Sequence, residues 1–133
     1  MRTTLIIAFI ILVSNINAQD TIKNVGGPHG GILKSVESYK IEMLITYNRI
    51  YAYLYNKNVE PIRNKNITGE VVFVYEDNAS LNIKLNPYEN DGFIADVANP
   101  NYSYCTVNFN IYGKMITTKF ENQPELAKKE KKK

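Results

Sequence analysis

The chain has 133 residues, 44% of them hydrophobic and 22% charged, with a formal charge of +3, one cysteine, one histidine and no tryptophan. That length fits one domain, the lone cysteine excludes an intramolecular disulfide, and the core must rest on packing alone. The net charge does not argue for nucleic acid, because Lys128, Lys129, Lys131, Lys132 and Lys133 crowd the last six residues; a nucleic-acid face needs basic residues interleaved with aromatics across a folded surface.

The first segment is "MRTTLIIAFIILVSNINAQD". It carries Arg2, an apolar run from Leu5 to Val13, and the small residue Ala18. This is the layout of a secretory signal peptide over residues 1–18. The apolar run is too short to cross a hydrocarbon core, which needs about 20 residues. An exported chain beginning near Gln19 follows, with residues 19–26 as a flexible lead-in. At the other end "PELAKKEKKK" places residues 121–133 in a solvated, disordered Lys-rich tail. No later stretch is long and apolar enough to span a membrane.

Between Gly31 and Phe120 apolar residues recur with period two. In "YKIEMLIT" Tyr39, Ile41, Met43 and Ile45 share one face, opposite Lys40, Glu42 and Thr46, with Leu44 the exception. In "RIYAYLYN" Ile50, Ala52 and Leu54 oppose Arg49, Tyr51, Tyr53 and Tyr55, and "TYNR" between the two runs reads as a hairpin turn. Strands are also predicted at "GEVVFVYE", "SLNIKLN", "GFIADV", "YCTVNFNIY" and "KMITTKF". "YEDNAS" and "YGK" supply turns, and "NPYENDG" and "ANPNY" longer connections. Alternation of this kind marks antiparallel strands with one dry and one wet face. Seven to eight short strands over residues 27–120 predict an all-β, immunoglobulin-like antiparallel β-sandwich.

The histidine sits in "GGPHGG" (Gly26 to Gly31), and two readings of it stand side by side. As a ligand, the neutral imidazole of His29 would bind a transition metal such as Cu, Zn or Co. Glu37 and Glu42 are then the candidate oxygen ligands, and Met43, Met115 and Cys105 the soft ones for Cu(I). As a turn residue, His29 is carried by glycines that permit positive φ and feed the first strand. The phase of Cys105 with Val107, Phe109 and Ile111 buries its thiol, and Met43 falls in phase with Ile41 and Ile45, so both read as packing residues. One imidazole and one or two carboxylates do not fill a tetrahedral shell; any metal site here is open, completed by water or by a partner.

The tyrosines offer a further candidate. Tyr51, Tyr53 and Tyr55 share one strand face and Tyr102, Tyr104 and Tyr112 another; adjacent, they would form an aromatic surface, although covering a sheet is the commoner role of strand tyrosines. No nucleotide-binding loop is present, since "GGPHGG" opens a strand rather than a helix, and no nucleophile or acid–base pair accompanies the histidine. The expectation is a non-enzyme without a resident cofactor. Three asparagine sequons, "NIT", "NAS" and "NYS", suit a eukaryotic secretory route and are incidental in a bacterial periplasm.

The stretches "GGPHGGILKSVESYKIEMLI", "RIYAYLYNKNVEPI", "ITGEVVFVY" and "CTVNFNIYGKMITTKF" resemble a family of small exported proteins of Gram-negative bacteria. Members carry a Pro-His-Gly-Gly start, a Tyr-x-Ile-Glu strand and a Tyr-Leu-Tyr-(Asp/Asn)-x-x-x-x-Pro segment. A similar His-Gly-Gly module occurs in periplasmic adaptor subunits of heavy-metal efflux pumps. The resemblance runs from Gly27 to Phe120. It implies a periplasmic β-sandwich engaged in transition-metal handling, with a metal efflux complex or another envelope protein as partner. The competing expectation is a non-catalytic structural or interaction module of the envelope.

Overall fold

The structure, a computed structural model, describes residues 25–46 and 48–122. The signal peptide 1–18 and most of the lead-in 19–26 and of the tail 121–133 lie outside the described residues; Val25 and Gly26, expected in a flexible lead-in, and Glu121, expected in the tail, are instead strand residues held by ladder pairing. The chain is all-β and antiparallel, as expected. The strands are β1 (Val25–Gly26), β2 (Ile32–Val36), β3 (Tyr39–Ile45), β4 (Arg49–Asn56), β5 (Ile67–Val74), β6 (Ser80–Tyr88), β7 (Gly92–Asp96), β8 (Tyr104–Ile111) and β9 (Lys114–Glu121). Among the described residues there is no helix.

The strands hydrogen-bond in the order β1-β2-β3-β4-β7-β6-β5-β8-β9. β2-β3-β4 and β5-β6-β7 are meanders; the links β4–β5 and β7–β8 are Greek-key crossings, which set strands from distant parts of the chain side by side. β6 joins the two layers. Its residues 80–85 pair with β5 and its residues 86–88 with β7. Pro87, expected in a loop, is thus a strand residue opposite Phe93. It is tolerated there because β5 has already left that edge of β6, so the missing N–H costs no ladder bond.

Period two decides the core. In β8 Cys105, Val107, Phe109 and Ile111 are buried and the alternate residues are not. They meet Ile41, Met43, Ile50, Ala52 and Leu54 from β3 and β4, and Phe93 of β7 packs on Phe109 at 4.9 Å between ring centroids. Each fully buried Val, Leu, Ile, Phe or Met side chain among them contributes about 1.5–3 kcal/mol relative to exposure. The sheet curls until β2 and β9 face each other. Lys34, in the inward phase of β2, spans that seam: its ammonium donates to the Lys119 carbonyl and lies over the Phe120 ring. An inward charge at a strand edge of this kind stops further pairing.

Candidate functional site

The segment Gly27–Gly31 is the loop of the β1–β2 hairpin. Gly30 N–H donates to the Gly27 carbonyl and Gly27 N–H to that of Gly31, both at 2.9 Å. Gly30 takes φ +83°, the left-handed conformation that closes such a loop with a glycine bulge. His29 is therefore a turn residue, as one reading held, but the turn is not free in solvent. It folds across the outer face of β3 and β4.

That placement reverses the expectation for Glu42. Register sets Glu42 opposite Leu33 on one side and Tyr53 on the other. This is the face away from the core, predicted to be wet; under the loop, however, Glu42 is fully buried. Its Oε2 accepts from the backbone N–H of His29 at 2.9 Å and of Gly31 at 2.8 Å. Its Oε1 accepts from the Tyr55 hydroxyl at 2.7 Å and lies 3.0 Å from His29 Nδ1. Burial pushes the carboxyl pKa up, but the hydrogen bonds from Tyr55, Gly31 and His29 outweigh it, and the net shift is downward. Gly27 is a close-approach glycine: a Cβ there would collide with the Glu42 carboxylate.

An ionised carboxylate is acceptor-only, so the proton of the neutral imidazole belongs on Nδ1, where it also meets the Tyr55 oxygen at 2.9 Å. The His29 ring stacks on Tyr53, with centroids 3.6 Å apart and planes within 7°. Anchored on one nitrogen and one face, the side chain keeps about a third of its surface exposed. Its Nε2 lone pair is left without a partner in the cluster. Tyr55 and Tyr53 are both buried, against expectation. Burial and the neighbouring Glu42 raise the Tyr55 pKa, and burial pushes Tyr53 up to about 12.

The other proposed ligands lie elsewhere. Glu37 occupies the β2–β3 turn at φ +53°, with its carboxylate 3.0 Å from Lys114 Nζ. β2 rises about 3.3 Å per residue, so its two ends, which carry His29 and Glu37, are far too distant to share an ion. Met43 and Cys105 are core residues, and Met115 is exposed on β9. Among the described residues no group of three or more His, Cys, Asp or Glu side chains is disposed to hold a metal ion. The site brings together His29 and Glu42 and leaves out Glu37. Glu42, moreover, spends both oxygens on hydrogen bonds within the cluster.

Tyr53 and Tyr55 were missed as site residues. A signal existed: the Pro-His-Gly-Gly, Tyr-x-Ile-Glu and Tyr-Leu-Tyr segments meet here through His29, Glu42, Tyr53 and Tyr55. The asparagine and proline that end the third segment have separate work. Asn56 Oδ1 accepts from the backbone N–H groups of Asn58 and Glu60, and Pro61 bridges back to Tyr55. The other tyrosine grouping does not form, because β4 and β8 are separated by β7, β6 and β5. Comparison with known proteins finds no matching family model, no matching curated protein and no matching solved structure.

Proposed function

We propose that this is an exported, periplasmic binding protein that takes a transition metal ion (Cu, Zn or Co) as cargo on His29 Nε2, at an open site whose remaining ligands come from water or from a partner such as a metal efflux complex. The supporting observation is the Nδ1 contact to buried Glu42. A carboxylate on one imidazole nitrogen sets the tautomer, aims the ring and raises the basicity of the other nitrogen, as it does behind many metal-bound histidines. The stacked Tyr53 removes rotamer freedom that binding would otherwise have to freeze. One protein ligand favours capture and release over storage, which suits transfer to a second protein.

Calorimetry with Cu, Zn and Co on wild type, His29→Ala and Glu42→Gln tests the reading. One ion per chain is expected in wild type, none at this site in His29→Ala, and weaker binding in Glu42→Gln. If wild type and His29→Ala bind identically, the cluster is a structural clamp and the interaction-module reading takes over. Export is tested separately by N-terminal sequencing of the periplasmic fraction, where a chain starting near Gln19 is expected and one retaining Met1 would refute it.

A further inference from the structure

The three asparagine sequons differ sharply once folded. Asn66-Ile67-Thr68 enters β5: Ile67 is buried in the core and Thr68 pairs with Asn110 of β8. Asn64, two residues before it, is built into the fold, donating to the carbonyls of Glu89 and Gly92. Asn101-Tyr102-Ser103 is pinned in the same way. Tyr102 is buried, Ser103 N–H donates to the Val74 carbonyl, and the Ser103 carbonyl accepts from Asn122. Neither can leave the surface without extracting a core side chain.

Asn78-Ala79-Ser80 sits at the apex of the β5–β6 hairpin, and every residue from Glu76 to Ser80 is exposed. Asn78 holds the left-handed position of the turn at φ +63°, with its N–H on the Tyr75 carbonyl at 2.9 Å. Only Ser80 lies in the ladder, as the first rung opposite Val74. Asp77 is committed to the Ala79 N–H at 3.0 Å. Glu76, two residues before the acceptor, is therefore the carboxylate outside the turn's own hydrogen bonds; the other two sequons have asparagine at that position.

We propose that Asn78 is an acceptor for N-linked glycosylation of the folded protein, by a transferase that grips Glu76 with a cationic contact. The donor class is a polyprenyl-pyrophosphate-linked oligosaccharide. The Asn78 carboxamide nitrogen attacks C1 of the first sugar, and the N–C1 bond forms. The C1–O bond breaks, the polyprenyl pyrophosphate leaves with the electron pair, and the amide proton passes to a base of the transferase. The inference uses the exported reading only to bring chain and transferase together; it does not depend on metal binding. It also revises the expectation that all three sequons are incidental.

The test uses the purified, folded full chain, a single-subunit bacterial-type oligosaccharyltransferase and its lipid-linked donor, read by intact mass and peptide mapping. One glycan at Asn78 is expected. Asn78→Gly, which suits the left-handed turn, and Ser80→Ala should each abolish it; Asn66→Gln and Asn101→Gln should leave it unchanged, and Glu76→Gln should slow it at least tenfold. A peptide spanning residues 74–82 is the control for the enzyme. The proposal is overturned if the peptide is modified and the folded chain is not, if neither is modified, or if the glycan maps to Asn66 or Asn101. Because no step requires the signal peptide, failure here is distinguishable from failure of export.

Discussion

Removing the Glu42 side chain tests the clamp most directly. In Glu42→Ala the Gly31 N–H and the Tyr55 hydroxyl, now bonded at 2.8 and 2.7 Å, lose their acceptor inside a buried site. Each orphaned buried donor costs about 1–3 kcal/mol, while the more accessible His29 N–H recovers a water. Lost burial of the Cγ methylene adds about 0.8 kcal/mol, partly offset because an ionised carboxylate no longer has to be desolvated. The sum points to a loss of about 3–5 kcal/mol, the range for breaking a buried charged network by removing one partner. Glu42→Gln keeps the shape and one carbonyl for the two N–H groups, so it should lose about 1–2 kcal/mol. Its amide would face Nδ1 as a donor and drive the imidazole proton to Nε2. Urea unfolding followed by circular dichroism and tyrosine fluorescence gives the numbers, and the lack of tryptophan keeps the tyrosine signal readable. A Glu42→Ala loss below about 1 kcal/mol with an unchanged m-value would place it among ordinary surface substitutions and refute the clamp. The pH dependence carries a second check. The folded pKa of Glu42 is depressed below its ordinary 4.5. Its contribution is therefore complete above about pH 4.5 and is lost as pH falls through the lower folded value; Glu42→Gln should remove that acid-side slope.

Gly27→Ala should destabilise by about 1–3 kcal/mol, because the new Cβ must displace the Glu42 carboxylate; a neutral result by thermal melting would mean the loop lifts freely. Glu37→Ala removes an exposed pair with Lys114 and should change stability by under about 1 kcal/mol and leave metal calorimetry unaltered; altered metal binding would bring Glu37 back as a ligand. Burial pushes the Cys105 thiol up to about 12, so bulky thiol reagents should label it only after denaturant is added; rapid native labelling would reverse the faces of β8. The folded pKa of Tyr53 is raised from 10.0 to about 12. Its stabilising contribution is thus complete below pH 10 and lost as pH rises through about 12. Ultraviolet titration should find it ionising only as pH approaches about 12, and ionisation already complete near pH 10 would argue against burial.

The positions of β3 to β9 were legible because each of these strands satisfies a local rule. Cys105, Val107, Phe109 and Ile111 could be assigned to the core from one another's spacing, since successive side chains must point to opposite faces. The turns at Thr46–Arg49, Tyr75–Ala79 and Tyr112–Lys114 were visible in their Asn, Asp and Gly content for the same local reason. Pro87 misled because its tolerance depends on which strand lies beside it, and that is not written in its own neighbourhood.

The sequence by itself determined the all-β class, the two faces of β3, β4 and β8 and the turn at His29. It also correctly marked Glu42, Tyr53 and Tyr55 as pointing away from the core. What only the tertiary structure decided is that this outward face is not wet. A glycine-rich hairpin loop, brought there by pairing of β1 with β2 and of β2 with β3, lies over it and turns three polar side chains into a buried network around one imidazole. Period-two reasoning tells which side of its own sheet a residue faces. It carries no information about what else covers that side, because covering is a contact made by residues eleven or more positions away.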